Sequence, residues 1–172
     1  MSNGDGFAMD HLSIRDEIEE LIKSKKSHEF FTEVDKNLWK PVVQKIEESF
    51  IQKQHYTNSL HWGWQRLKDP QYVLRMVDTS NRYLKYFVND DRVWFIVEDY
   101  KDKMWLYEGD TNFIIKNVIP ELMHLREYYL ISKKYEWLLC INHDDIVFGS
   151  GLEVVNKMKK FEQMNSEEII RT

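Results

Sequence analysis

Short apolar segments in the C-terminal half of the chain are separated by turns that leave room only for reversal. Residues 93–98 and 104–108 flank Asp99-Tyr100-Lys101-Asp102, and residues 137–142 and 146–148 flank His143-Asp144-Asp145. Strands joined this closely pair antiparallel, because a parallel partner needs a crossover of about a dozen residues or more. Residues 128–131 precede the second pair across Lys133-Lys134-Tyr135-Glu136 and add a fifth strand. In the first pair Val93, Phe95 and Val97 share one face, while Trp94 and Trp105 show that both faces carry large apolar groups. Either helices cover both faces, or one face is an exposed aromatic patch.

Helical periodicity supplies the covering elements. Residues 12–25 place Ile14, Ile18, Leu21 and Ile22 on one stripe, with Ser13 as a cap and Asp16 and Glu17 in the first turn. Residues 37–54 repeat Leu38, Val42, Ile46 and Phe50 every four positions, with Pro41 in the first turn. A short helix is predicted within 60–67, with a strand as the alternative because Leu60, Trp62 and Trp64 alternate; a strand is predicted over 72–77, and then a brief helix carrying Tyr83, Leu84 and Phe87, for which a strand is again the alternative. A helix from Asp110 or Thr111 to about Leu125 turns Phe113, Ile114, Val118 and Leu122 inward, and Pro120 should end or kink it. Residues 152–164 form the last helix, after a break at Gly149-Ser150-Gly151 with Ser150 as its N-cap. The reading is an α+β fold: one mostly antiparallel sheet packed against N-terminal, middle and C-terminal helices.

The chain has 172 residues, long enough for one core without disulfides or structural metal. A flexible tail is expected over 1–9, a single domain over 10–164 and a frayed end over 165–172. With 24 Lys+Arg against 29 Asp+Glu the net charge is −5, which argues against nucleic acid as a partner. The single Cys fits a reducing cytoplasm. No secretory signal is visible, and no apolar run reaches the roughly 18–20 residues that span a bilayer, so no membrane association is expected.

Four groups of residues carry chemical interest. His143-Asp144-Asp145 offers an imidazole beside carboxylates, a metal-binding or acid–base combination, but it also reads as a polar hairpin turn after Asn142. Glu98-Asp99 is a carboxylate pair at a strand exit, where Asp is equally a turn former. With His61 these residues could complete a ligand set if the fold brings them together. Cys140, between Leu139 and Ile141, reads as a small buried hydrophobe rather than a nucleophile. The six Trp, nine Tyr and nine Phe form either an aromatic core or a contact surface, since Trp and Tyr dominate protein-interface hot spots.

The stretch from Glu127 through Tyr128-Tyr129-Leu130-Ile131 and Trp137-Leu138-Leu139-Cys140-Ile141-Asn142-His143 to Asp145 resembles a small bacterial family of unknown function. Val97-Glu98-Asp99 and Trp105-Leu106-Tyr107-Glu108 extend the likeness upstream. In size, acidity and aromatic content the chain is also similar to toxin-immunity proteins of the superfamily that includes a yeast cell-wall assembly regulator. Where that group has Asn-Gly after the first strand, this chain has Asn89-Asp90-Asp91. This resemblance implies a non-enzymatic protein-binding role of immunity or regulatory type. Trp105, Tyr107, Glu98 and Asp99 are then the expected contact residues, a protein is the expected partner, and no cofactor is implied. The alternatives are a metal-assisted hydrolase using His143, Asp145 and Glu98, and a structural homodimer.

Overall fold

Strand β3 (Arg92–Glu98) lies inside the sheet, paired antiparallel on one side with β4 (Met104–Asp110) and on the other with β5 (Glu127–Ser132). The computed structural model describes residues 13–53, 59–99, 101–123 and 125–171. Beyond β5 come β6 (Leu138–Ile141), β7 (Ile146–Ser150) and β2 (Gln71–Arg75), and β1 (Phe31–Glu33) closes the far edge against β4. The sheet therefore has seven strands in the order β1-β4-β3-β5-β6-β7-β2, with every neighbouring pair antiparallel. The α+β expectation holds.

Helices lie on both sides. One face carries Val93, Phe95, Val97, Tyr107, Tyr128, Leu130, Leu139 and Val147. It packs against α1 (Ile14–Lys25), α3 (Leu84–Phe87) and α5 (Leu152–Met164). The opposite face carries Ile96, Leu106, Tyr129, Ile131, Leu138, Cys140 and Phe148. It receives Ile46 and Phe50 of α2 (Lys36–Phe50), together with Ile51, Leu60 and Leu67. The aromatic excess is accordingly absorbed mostly by packing. Trp137 is 1% exposed, with its indole N–H donating to Asp90. Lys133 lies over Trp94, and Trp105 meets Trp39 edge-on under the Arg15 guanidinium. Such amphipathic rings fill volume while their edges find polar or cationic neighbours.

Several local expectations hold in detail. Ser13 caps α1 through a capping box with Asp16, which satisfies two otherwise orphaned N–H groups. Residues 63–66 form a single turn of 3₁₀ helix. Parts of other expectations lie outside the described residues: the tail 1–9, Leu12 at the start of the first helix, Gln54 at the end of the second, Tyr100 in the first hairpin turn, and Thr172.

Three local readings are corrected. The helix predicted over 111–125 breaks into one α-turn (Thr111–Phe113, α4), a π-turn (Ile114–Val118) and a 3₁₀ turn (Ile119–Glu121). Pro120 has no N–H to continue the ladder, and its ring crowds the preceding turn. Ser150 does not cap α5: it belongs to β7, and its hydroxyl donates to the Lys68 carbonyl. Gly151 takes the cap position at φ 103°, where an added Cβ would lie 2.3 Å from the Glu136 carbonyl oxygen. The third is Pro41, which stands sixth in α2 (Lys36–Phe50) and so lies beyond its first turn; β1, a three-residue edge strand, is too short to leave a period in the sequence.

Candidate functional site

Glu98 ends β3 and Glu127 begins β5, and the two are direct partners in the ladder. Opposed residues share a face, so both side chains point to the α2 side of the sheet, where Ile96 and Tyr129 lie next in line. Only 1% of Glu98 and 2% of Glu127 is exposed. Two carboxylates placed this way resist ionising together, and each needs partners. Burial, and then the charge of Glu127, push the Glu98 carboxyl above its ordinary range, while His61 pulls it back.

The partners come from two loops. Leu60 is buried, its N–H donates to Glu47 Oε1 (2.7 Å), and its carbonyl accepts from the Tyr129 hydroxyl (3.3 Å). Gly63 packs so closely on Ile51 that a Cβ would meet its Cδ1 at 2.9 Å. Between these anchors Trp62 adopts a left-handed conformation, φ 54°. That geometry delivers His61 Nδ1 to 2.8 Å from Glu98 Oε1, and the Trp64 indole N–H to Glu127 Oε1 at 3.1 Å. The second imidazole rides on the β6–β7 hairpin. Asn142 Oδ1 accepts from the backbone N–H groups of Asp144 and Ile146, which closes the turn and sets His143 Nδ1 2.7 Å from Glu127 Oε1.

The result is two imidazole–carboxylate dyads on neighbouring strands, His61–Glu98 and His143–Glu127. Trp62 contacts both imidazoles edge-on, at ring separations of 5.7 and 5.4 Å, and Arg126 lies over its face at 5.3 Å. The carboxylates form the floor, whereas the histidine side chains keep 36% and 32% of their surface open. A carboxylate on Nδ1 fixes the tautomer and leaves Nε2 as the nitrogen for a substrate, water or metal. Among the described residues, Glu98 Oε2 and Glu127 Oε2 have no hydrogen-bond partner.

The residues singled out from the sequence fall in different places. Glu98 and His143 belong to the site, and His61 joins them. Asp145 does not: its carboxylate accepts from Ser80 N–H and its carbonyl from the Ser80 hydroxyl, and its backbone is left-handed at φ 57°. It serves the turn. Asp99 likewise organises the β3–β4 turn, with Oδ1 accepting from the N–H groups of Lys101 and Lys103. Tyr107 is 1% exposed and stacks on Phe31 at 5.1 Å, and Trp105 is partly buried against α1 and α2 residues. Trp105, Tyr107, Glu98 and Asp99 therefore do not make one exposed contact surface. Cys140 is fully buried and burial pushes its thiol well up, in keeping with a core role. Glu127, Trp62 and Trp64 were missed. Glu127 opens an apolar strand opposite Glu98, and the antiparallel pairing of 93–98 with 128–131 was the signal that could have joined them.

Fold and site together define an α+β protein with an antiparallel sheet covered on both faces and a twinned histidine–carboxylate centre at one end of its middle strands. The chain belongs to a family of unknown function (DUF6756), whose model matches residues 10–162. No curated protein matches it. Among the described residues no helix is long and apolar enough to cross a membrane.

Proposed function

We propose that this protein is a hydrolytic enzyme in which His143, oriented by Glu127, is the acid–base group. The observation that carries this reading is the pair of buried carboxylates, each bonded to the Nδ1 of a half-open imidazole. A carboxylate behind an imidazole holds the ring, selects its tautomer and stabilises the imidazolium that forms when Nε2 takes a proton. His143 would remove a proton from a water and return it to the leaving group, and His61 and Glu98 would form the facing half of the centre. Trp62 and Trp64 both pack against the His143 ring, and Phe148 backs Trp64. The protein-docking reading draws less support, because Tyr107, Glu98 and Asp99 are buried.

The test is turnover of a panel of chromogenic carboxylic and phosphoric esters by wild type, His143→Ala and His143→Gln, with and without added divalent metal. Hydrolysis that disappears in both variants while their circular dichroism stays native supports the reading. No turnover of any ester, or turnover unchanged in both variants, removes it.

A further inference from the structure

From the facing half of the centre we infer a binding site for a divalent transition metal, Zn²⁺ foremost, held by His61, Glu98 and Asp102. One donor atom from each of the three lies within 4.8 Å of the other two. A tetrahedral Zn²⁺ with bonds of about 2.0–2.2 Å keeps its ligand atoms roughly 3.4 Å apart. That spacing falls within the 4.8 Å limit, and an ion bound through His61 Nδ1 would replace the 2.8 Å hydrogen bond to Glu98 Oε1, whereas one bound through Nε2 would leave it in place.

Each ligand is prepared by something other than the cluster itself. Glu98 is 1% exposed and its Oε2 has no partner among the described residues, an arrangement that leaves a buried carboxylate short of a positive charge. His61 is held on a loop pinned at Leu60 and Gly63. Asp102 stands in the β3–β4 turn with a left-handed backbone, φ 58°, and its N–H donates to the Asp99 carbonyl. Its Oδ1 accepts from Arg126 at 2.8 Å, so a second carboxylate oxygen remains for an ion. One imidazole and two carboxylates suit Zn²⁺ or Mn²⁺ better than Mg²⁺ or Ca²⁺, which favour all-oxygen shells. Three protein ligands leave a fourth position for water, as in catalytic rather than structural zinc sites. His143 is not a ligand here. It stays with Glu127 and faces the same aromatic surface at Trp62.

This inference deepens the hydrolytic reading, yet the two fail separately. Metal binding without ester turnover leaves the metal site and removes the hydrolase; turnover without metal binding does the reverse.

Isothermal titration of the metal-free protein with Zn²⁺, Mn²⁺ and Mg²⁺ tests it. One Zn²⁺ site of micromolar affinity or tighter is expected, with Mg²⁺ much weaker. Asp102→Asn, at a largely exposed turn position, and His61→Ala should each weaken Zn²⁺ by about tenfold or more. His143→Ala should bind as wild type does. Thermal melts with and without Zn²⁺ should show stabilisation in wild type and His143→Ala only. No binding tighter than millimolar in the folded wild type overturns the inference, as does wild-type affinity in both Asp102→Asn and His61→Ala.

Discussion

Glu98 and Glu127 stand opposite each other across β3 and β5, both enclosed, and each is answered by one imidazole. The two are not equivalent. Glu127 Oε1 accepts from the Trp64 indole and meets His143, whereas among the described residues Glu98 Oε1 meets His61 alone. Glu127→Ala strands a half-buried indole N–H and leaves His143 without its acceptor, and is expected to lower stability by about 2 kcal/mol. Glu98→Gln removes one of two opposed buried charges and keeps an acceptor for His61, so its change should stay within about 1 kcal/mol. Urea denaturation in the presence of a chelator compares them; equal losses would contradict the asymmetry.

Asp145 serves the turn and Ser80, not the histidine centre. Asp145→Ala removes the acceptor for Ser80 N–H and puts Ala at φ 57°, which should cost about 1–3 kcal/mol. Zn²⁺ affinity of the folded variant should not move. Loss of metal binding with stability intact would return Asp145 to the ligand set.

Gly151 joins β7 to α5 with a backbone that L-residues rarely adopt, and its Cα faces the Glu136 carbonyl. Gly151→Ala meets strain and overlap together and should destabilise by about 2 kcal/mol or more. A midpoint in urea close to that of wild type would disprove the packing described for this junction.

Tyr107, Tyr128, Tyr129 and Cys140 are all pushed upward by burial, so each stays neutral in the folded protein at pH values where the unfolded chain ionises. Above the ordinary tyrosine pKa of about 10 the unfolded state then binds fewer protons than the folded one. The stabilisation from these groups is complete below the unfolded pKa values and is lost as pH rises past them. Denaturation midpoints should hold steady near neutrality and fall steeply above about pH 9–10. Tyrosinate absorbance for the buried rings should appear with unfolding rather than before it.

Cys140, with 0% exposure, should react with a thiol reagent only as fast as the protein opens. Labelling at the rate of a free thiol, with the fold intact, would show that the α2 face is looser than its packing implies.

How far the sequence could be read depends on the range over which each signal acts. The capping box at Ser13, the stripe of α1, the β3–β4 hairpin and the β6–β7 hairpin are local, and each was legible from spacing alone. Half of the site was too, since His143 and Glu98 stood out as polar groups at strand ends. The rest depended on register. Whether Glu98 meets Glu127 or a neighbour is decided by how β3 slides against β5, and one residue of slip sends a side chain to the other face. Asp145 misled for a related reason: a residue two positions from His143 suggested cooperation, but the left-handed turn directs it to Ser80. Trp62 was legible as an aromatic, and its role as the surface shared by two imidazoles comes only from the fold of loop 60–64.

That loop is fastened to the sheet by Glu47 from α2 and Tyr129 from β5, while the histidine facing it across Trp62 arrives on a hairpin some eighty residues later in the chain. No single foldon owns the centre. A small molecule that engaged both imidazoles would tie four distant stretches of chain into one cooperative unit, so its binding would register as protection of amide hydrogens deep in β3 and β5, far from the atoms it touches.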